Sequence, residues 1–141
     1  MTLAATDPCP CGRADARGRP LPFTRCCGPY LADFDHHAAP DAQALMRSRY
    51  SAFVLEDADY LLATWHASLR PPELAFEPGL KWLGLDLRAH RVADADHAEV
   101  EFVARSRLAG RGLRLHERSR FVREGGRWFY VDGDILGENA K

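Results

Sequence analysis

All four cysteines of this 141-residue chain lie between residues 9 and 27, as Cys9 and Cys11 followed by the adjacent pair Cys26 and Cys27. A segment this short buries little apolar surface, and units below about 40 residues usually need a metal ion or a disulfide to fold. The N-terminal sequence lacks a basic stretch followed by a long apolar core, so we expect no signal peptide and a cytoplasmic location. Disulfides are rare in the cytosol. The cluster therefore favours metal binding.

Structural zinc sites take four tetrahedral ligands and prefer thiolates. Gly12 allows a tight turn after the first pair of cysteines, and Gly28 and Pro29 would end the loop after the second pair. We predict a structural zinc ion, Zn²⁺, with no open position for a reacting water. A disulfide, a metal-free thiol cluster, and a site that uses His36 or His37 remain alternatives. The predicted ligands are Cys9, Cys11, Cys26 and Cys27.

The stretches CPCG and CCGPY resemble the SEC-C motif, a small zinc-binding module known from the C-terminal tail of the SecA translocation ATPase. The resemblance implies that the same four cysteines are ligands, and it suggests contact with a protein or ribosomal partner. The loop between the pairs is longer here and rich in arginine rather than lysine. Closure entropy grows only with the logarithm of loop length, so we expect zinc binding to persist. The loop arginines are Arg13, Arg17, Arg19 and Arg25.

Helical signals follow this segment. Asp41 is a candidate N-cap for a helix through residues 42–57, because a short acidic side chain can accept the first free backbone amides. A second helix is expected to begin near Asp57 or Asp59 and to stop before Pro71. Residues 71–77 are expected to form one further short helical turn.

The second half of the chain alternates between apolar and polar residues with period two, which predicts four strands joined by short turns. Helices followed by an antiparallel meander predict an α+β fold, with the helices packed on one face of the sheet. The expected inward-facing positions of the first two strands are Leu83, Leu85, Leu87, Ala89, Ala98, Val100, Phe102 and Ala104.

Two polar residues, Glu117 and Ser119, fall on the apolar face of the third strand. A buried carboxylate needs a partner or a polar cavity. Either Arg47 or Arg49 pairs with Glu117, or Glu117 forms the floor of a pocket. His66 and Asp132 are further acid–base candidates, although the first also suits a helix end and the second a turn. No residue is assigned as catalytic. The aromatic residues that would form walls, or simply core, are Tyr50, Trp65, Trp82 and Tyr130.

The segments LMRSRYSAFVLEDADYLLATWHAS, WLGL, HERSRF and RWFYVDG resemble, in order, the middle domain of the YchJ family of bacterial SEC-C proteins. The resemblance implies a nuclear-transport-factor-2-like fold, in which a curved antiparallel sheet wraps around helices into a cone that often encloses a pocket. The expected organisation is a zinc module with its linker over residues 1–38 and the cone over residues 39–141.

The net charge of −1 argues against nucleic-acid binding by bulk electrostatics, and no apolar run is long enough to cross a membrane. We expect a cytoplasmic zinc-binding adaptor or binding protein rather than an enzyme. Its zinc module would dock a protein or ribosomal partner, while the cone binds a small ligand or forms a homodimer. The alternative is a small-molecule enzyme of the isomerase, dehydratase or hydrolase type that uses acid–base groups in the cone.

Overall fold

A computed structural model describes residues 3–4 and 6–140 of the chain. A 3₁₀ turn, Phe23–Arg25, precedes three helices: α1 (Gly28–Ala32), α2 (Ala42–Leu55) and α3 (Ala58–Ala63). The strands β1 (Lys81–Asp94), β2 (His97–Leu108), β3 (Arg111–Glu124) and β4 (Arg127–Ala140) follow. They form one antiparallel sheet in the order β1-β2-β3-β4. The predicted α+β fold, with helices packed on a curved antiparallel sheet, is confirmed. None of the helices in the described residues has the length and apolarity needed to cross a bilayer.

Both predicted helix starts are capped by aspartates. The Asp41 carboxylate accepts the backbone N–H of Ala44 at 2.7 Å, and the Asp57 carboxylate accepts that of Tyr60 at 3.0 Å. These bonds satisfy amides that have no partner within the first helical turn. The short connection between α2 and α3 is fixed by these caps and by Glu56, which adopts a left-handed backbone conformation.

α3 ends earlier than its apolar pattern suggests. After Ala63 the chain leaves the helix and pairs with β4 through an isolated bridge at Trp65: the Tyr130 N–H donates to Thr64 O at 2.8 Å, and the His66 N–H donates to Tyr130 O at 2.7 Å. Trp65 is thereby held beside the sheet instead of on a helix. The prediction of a helical turn over residues 71–77 was wrong, since this segment has no regular secondary structure.

The sheet follows the predicted alternation except where β1 is bulged. Trp82 pairs with Ser106 and Gly84 with Arg105, so Leu83 is left without a partner in β2. The extra residue shifts the alternation, so Leu83 is 51% exposed rather than inward-facing, and Trp82 takes the inward position against the core. A second bulge between Leu87 and Ala89 pairs Ala89 with Glu101 on the outer face, so the inward position predicted for Ala89 was also wrong.

The core lies between α2 and the concave face of the sheet. Leu45 and Phe121 are among its fully buried side chains. The cysteines belong to the same cluster of buried residues, so the N-terminal segment packs directly on the rest of the fold. The boundary expected near residue 38 remains a prediction.

Candidate functional site

The first candidate site is the cysteine cluster. Isolated bridges between Pro8 and Pro22 and between Ala14 and Pro20 fold the N-terminal segment back on itself, which brings the two cysteine pairs together. Gly12 has a φ of +77°, in the left-handed region that glycine adopts without strain. Gly28 begins α1 rather than simply ending the loop.

The geometry of the cluster fits a tetrahedral metal ion. The four sulfur atoms all lie within 4.8 Å of one another, and Cys11 Sγ and Cys26 Sγ are 3.5 Å apart. A zinc–sulfur bond of about 2.3 Å requires sulfurs about 3.8 Å apart in a tetrahedron. All four residues are buried and none is in a disulfide. Four thiolates would leave no coordination position for water, so the site suits structure rather than catalysis.

The thiols influence one another strongly. Hydrogen bonds from Cys26 and Cys27 lower the pKa of Cys11 to about 7, because they stabilise its thiolate. The same contact with Cys11 raises the pKa of Cys27. Thiolates packed this closely repel one another, so the cluster needs a cation to carry four negative charges.

Two side chains of α2 contact the cluster. Arg47 donates from Nη1 to the backbone oxygen of Cys11 at 3.1 Å and lies 3.9 Å from its sulfur. Ser51 Oγ lies 3.5 Å from Cys9 Sγ. Neither His36 nor His37 is part of the cluster: both are exposed, and their Nδ1 atoms lie 2.9 Å and 3.9 Å from the Asp33 carboxylate.

The second candidate site is a cavity of about 260 Å³ between α2 and the sheet. Its walls are mostly apolar and aromatic, and its charged or polar lining residues include Arg49, Glu117 and Ser119. The apolar and aromatic lining residues are Met46, Tyr50, Phe53, Trp65, Trp82, Phe102, Ala104, Leu115 and the Tyr130 ring.

Arg49 is a buried cation with an unusual set of partners. The residue is 3% exposed, and Nη1 donates to Leu61 O at 2.8 Å and to Thr64 Oγ1 at 2.6 Å. Its guanidinium carbon lies 4.6 Å from the centroid of the Tyr130 ring and 5.4 Å from that of Trp65. Burial lowers the pKa of Arg49 to about 10, which leaves it charged at neutral pH.

Glu117 supplies the negative charge of the cavity. Its Oε2 accepts a hydrogen bond from Ser119 Oγ at 2.6 Å. The pKa of Tyr130 is raised to about 12, first by burial and then by the charge of Glu117. No arginine of the described residues approaches Glu117 within ion-pair distance, so Glu117 forms part of the cavity floor.

Six of the predicted pocket residues line this cavity and three do not. Arg47 points to the cysteine cluster instead. His66 lies outside the cavity, and its Nε2 is 2.8 Å from Glu124 Oε2. Asp132 accepts a hydrogen bond from Arg120 Nε at 2.6 Å, away from the cavity. The six that the structure brings together are Arg49, Tyr50, Trp65, Glu117, Ser119 and Tyr130.

Two contributors to the cavity were missed from the sequence. Gly133 pairs with Ser119 across β3 and β4, and a side chain there would collide with the Glu117 carboxylate. Thr64 holds Arg49 in place. The sequence signal for Gly133 was an isolated glycine inside a strand, which often marks a close approach of other groups.

Comparison with known proteins gives a consistent result. The family model described as "YchJ, middle NTF2-like domain" matches residues 41–133. A UPF0225 protein of Polaromonas naphthalenivorans is 71% identical over 135 residues, which cover 92% of this chain and 98% of the relative. A UPF0225 protein of Bordetella pertussis is 56% identical over 130 residues, covering 90% and 92% of the two chains.

Two solved structures are similar over almost the whole chain. The solution structure of a SEC-C motif containing protein from Rhodopseudomonas palustris has a TM-score of 0.76 and 31% identity, and the match covers 93% of this chain and all of that one (100%). The crystal structure of a SEC-C motif containing protein from Psychrobacter arcticus has a TM-score of 0.77 and 28% identity, and the match covers 94% and 85% of the two chains.

Proposed function

Because this chain belongs to the YchJ family, whose middle domain has the nuclear-transport-factor-2-like fold, we propose that it is a zinc-stapled binding protein. In this proposal zinc stabilises the N-terminal segment against α2, and the cavity between α2 and the sheet binds a small ligand. The observation that carries the proposal is the pairing of a closed four-sulfur cluster with a separate aromatic cavity on the same helix.

The choice of zinc follows from the donor set. Four thiolates in a tetrahedron favour zinc or an iron centre, and zinc needs no redox partner. Elemental mass spectrometry of the purified protein tests this, with a Cys11→Ser variant as the comparison. We expect one zinc per chain in the wild-type protein and its loss in the variant. A wild-type protein without zinc, or a variant that retains it in full, would contradict the proposal.

The binding role rests on the shape and lining of the cavity. Binding pockets are typically concave and mostly apolar, with a few polar groups that orient the ligand. Trp65 and Trp82 both line this cavity, so occupation by an apolar molecule should change tryptophan fluorescence. We expect saturable binding of small aromatic molecules. Phe102→Trp, which fills the space from the sheet side, should abolish it, whereas Phe129→Trp outside the cavity should not.

A docking role for the N-terminal segment is a second proposal. Arg13, Arg17 and Arg25 are exposed, and none forms an ion pair within the part of the chain that the structure describes. Three unpaired cations on one metal-held loop form a surface complementary to an acidic partner or to ribosomal RNA.

Co-sedimentation with purified bacterial ribosomes tests this docking role. We expect binding that weakens as salt is raised and disappears when the three arginines are changed to glutamate. Arg19→Glu is the matched control, because Arg19 is already paired with Asp15 at 3.2 Å. Absence of co-sedimentation, or equal binding by the triple variant, would contradict the docking role without affecting the cavity.

The enzymatic alternative has one supporting observation, the Glu117 carboxylate beside the Tyr130 hydroxyl in a mostly apolar cavity. His66 and Asp132 have other partners outside it. We therefore favour binding over acid–base catalysis.

A further inference from the structure

The cavity contains one buried cation and one carboxylate that are not paired with each other. Arg49 and Glu117 both line it, yet no ion pair within 4.0 Å joins them among the described residues. Each is fixed by a different neighbour: Thr64 holds Arg49, and Ser119 holds Glu117. The two charges are thus presented separately to whatever occupies the space.

Each of these groups has hydrogen-bonding capacity left over. Hydrogen bonds to protein use only Nη1 of Arg49, and the described residues provide no partner for its Nε or Nη2. Glu117 uses Oε2 for Ser119, and although the Tyr130 hydroxyl lies beside this carboxylate, no described residue donates a hydrogen bond to Oε1 within 3.5 Å. A guanidinium has five N–H donors and a carboxylate has about four lone-pair sites. A ligand can therefore accept from Arg49 and donate to Glu117.

The charge balance limits the ligand further. A carboxylate ligand would approach Arg49 favourably but would be repelled by Glu117, and an ammonium ligand would meet the reverse problem. Like charges brought together in a mostly apolar cavity repel each other and weaken binding. A neutral head group that carries both an acceptor and a donor satisfies both residues without adding a charge.

The rest of the cavity fits a ring. Tyr50, Trp82 and Phe102 contribute aromatic surface, and the cavity volume is about 260 Å³. An apolar cavity of about 150 Å³ is enough for benzene. The additional space would admit a short linker and a polar group.

We propose that the cavity selects small aromatic molecules with an uncharged head group that both accepts and donates hydrogen bonds, of which a primary carboxamide is the simplest. The acceptor contacts Arg49 and the donor contacts Glu117, while the ring packs against the aromatic walls. This inference rests on the proposed function, namely that the cavity is a binding site.

Three probes with the same phenylpropyl body test the head-group preference: 3-phenylpropionamide, 3-phenylpropionate and 3-phenylpropylamine. Their affinities are measured at pH 7 from the indole N–H signals of Trp65 and Trp82 in NMR titrations. We expect the amide to bind at least about tenfold more tightly than either charged probe, since each charged probe faces one like charge.

The Glu117→Gln variant sharpens the test. Glutamine keeps an acceptor for Ser119 but removes the negative charge, so Arg49 becomes the only charge in the cavity. We expect the preference to reverse, with the carboxylate probe binding more tightly than the amide. Glu124→Gln is the matched control, because it removes one negative charge outside the cavity and should leave the wild-type order unchanged.

The outcomes separate the two levels of the proposal. If all three probes bind the wild-type protein equally well, or if Glu117→Gln leaves their order unchanged, the head-group preference is wrong although the cavity still binds ligands. If none of the probes binds, the binding role of the cavity fails and the preference fails with it. The wild-type ranking requires no variant, so poor folding of Glu117→Gln would not prevent a decision.

Discussion

Gly133 illustrates how a single residue shapes the cavity. An added Cβ would collide with the Glu117 carboxylate and would lie 3.0 Å from the backbone oxygen of Arg118. The carboxylate could move, but the backbone oxygen belongs to the neighbouring strand and cannot. The glycine therefore provides the room in which Glu117 turns towards the cavity.

We expect Gly133→Ala to destabilise the protein by about 1–3 kcal/mol, the range for a side chain forced into a packed site. Gly137→Ala on the same strand is the control: its nearest contact would be His116 Cβ at 3.9 Å, an ordinary packing distance. Urea unfolding of the two variants gives the comparison. Equal stabilities would show that the sheet accommodates a methyl group at residue 133, contrary to this expectation.

The sequence predicted individual site residues correctly where the pattern within a single strand was sufficient. Alternation along β3 placed Glu117 and Ser119 on the inner face, where the structure has them. It could not choose between Arg47 and Arg49, because two residues along a helix turn the side chain by about 200° and the position of the cysteine cluster was unknown. Gly133 was overlooked because its role depends on the register between β3 and β4.

α2 is the element that both candidate sites share. Arg47 and Ser51 contact the cysteine cluster, whereas Arg49, Tyr50 and Phe53 face the cavity. The position and integrity of this one helix therefore affect both sites. Its N-terminal cap is the Asp41 carboxylate.

Removal of the cap should weaken α2 measurably. We expect Asp41→Ala to lower the free energy of unfolding by about 1 kcal/mol, because the Ala44 amide loses its acceptor. Asp41→Asn retains a side-chain oxygen and should stay close to the wild-type value. Thermal unfolding followed by circular dichroism distinguishes the two variants. An asparagine variant as unstable as the alanine variant would point to the charge of Asp41 rather than to capping.

The elements themselves were largely predictable from the sequence. Capping aspartates marked the starts of α2 and α3, and alternation marked the strands, because both signals are local. The errors arose from non-local contacts. β1 contains a bulge that turns Leu83 outward, and pairing with Tyr130 draws Trp65 and His66 out of the helix that their pattern favoured. Neither the bulge nor this pairing can be predicted from a short window of sequence.

At the scale of the whole molecule, the N-terminal segment and the cone share one core. Cys9 and Cys11 lie in the same buried cluster as Met46, Tyr50 and Phe102, and the last three also line the cavity. The sequence predicted a metal-binding segment and an α+β domain but gave no indication of their packing, since that depends on contacts between distant residues such as Cys9 and Ser51.

This shared core predicts that the metal and the cavity are thermodynamically coupled. If zinc occupies the cluster as proposed, its removal with a chelator should lower the free energy of unfolding by about 4 kcal/mol under conditions where free zinc stood at a thousandfold its dissociation constant. Without the metal, Arg47 and Ser51 lose their fixed partners, so α2 should also become more mobile. Hydrogen exchange should then accelerate in α2 more than in β2 and β3.

A more mobile α2 should lower the affinity for any ligand that packs against Tyr50 and Phe53. The metal-free protein should therefore bind 3-phenylpropionamide less tightly than the zinc-loaded protein. Linkage is reciprocal, and the probe should then raise the affinity for zinc by the same factor. Competition with a chromogenic chelator, in the presence and absence of the probe, measures that factor. If the probe binds but leaves the affinity for zinc unchanged, α2 does not couple the two sites. Metal binding and ligand binding are then thermodynamically independent, although the two sites share a core.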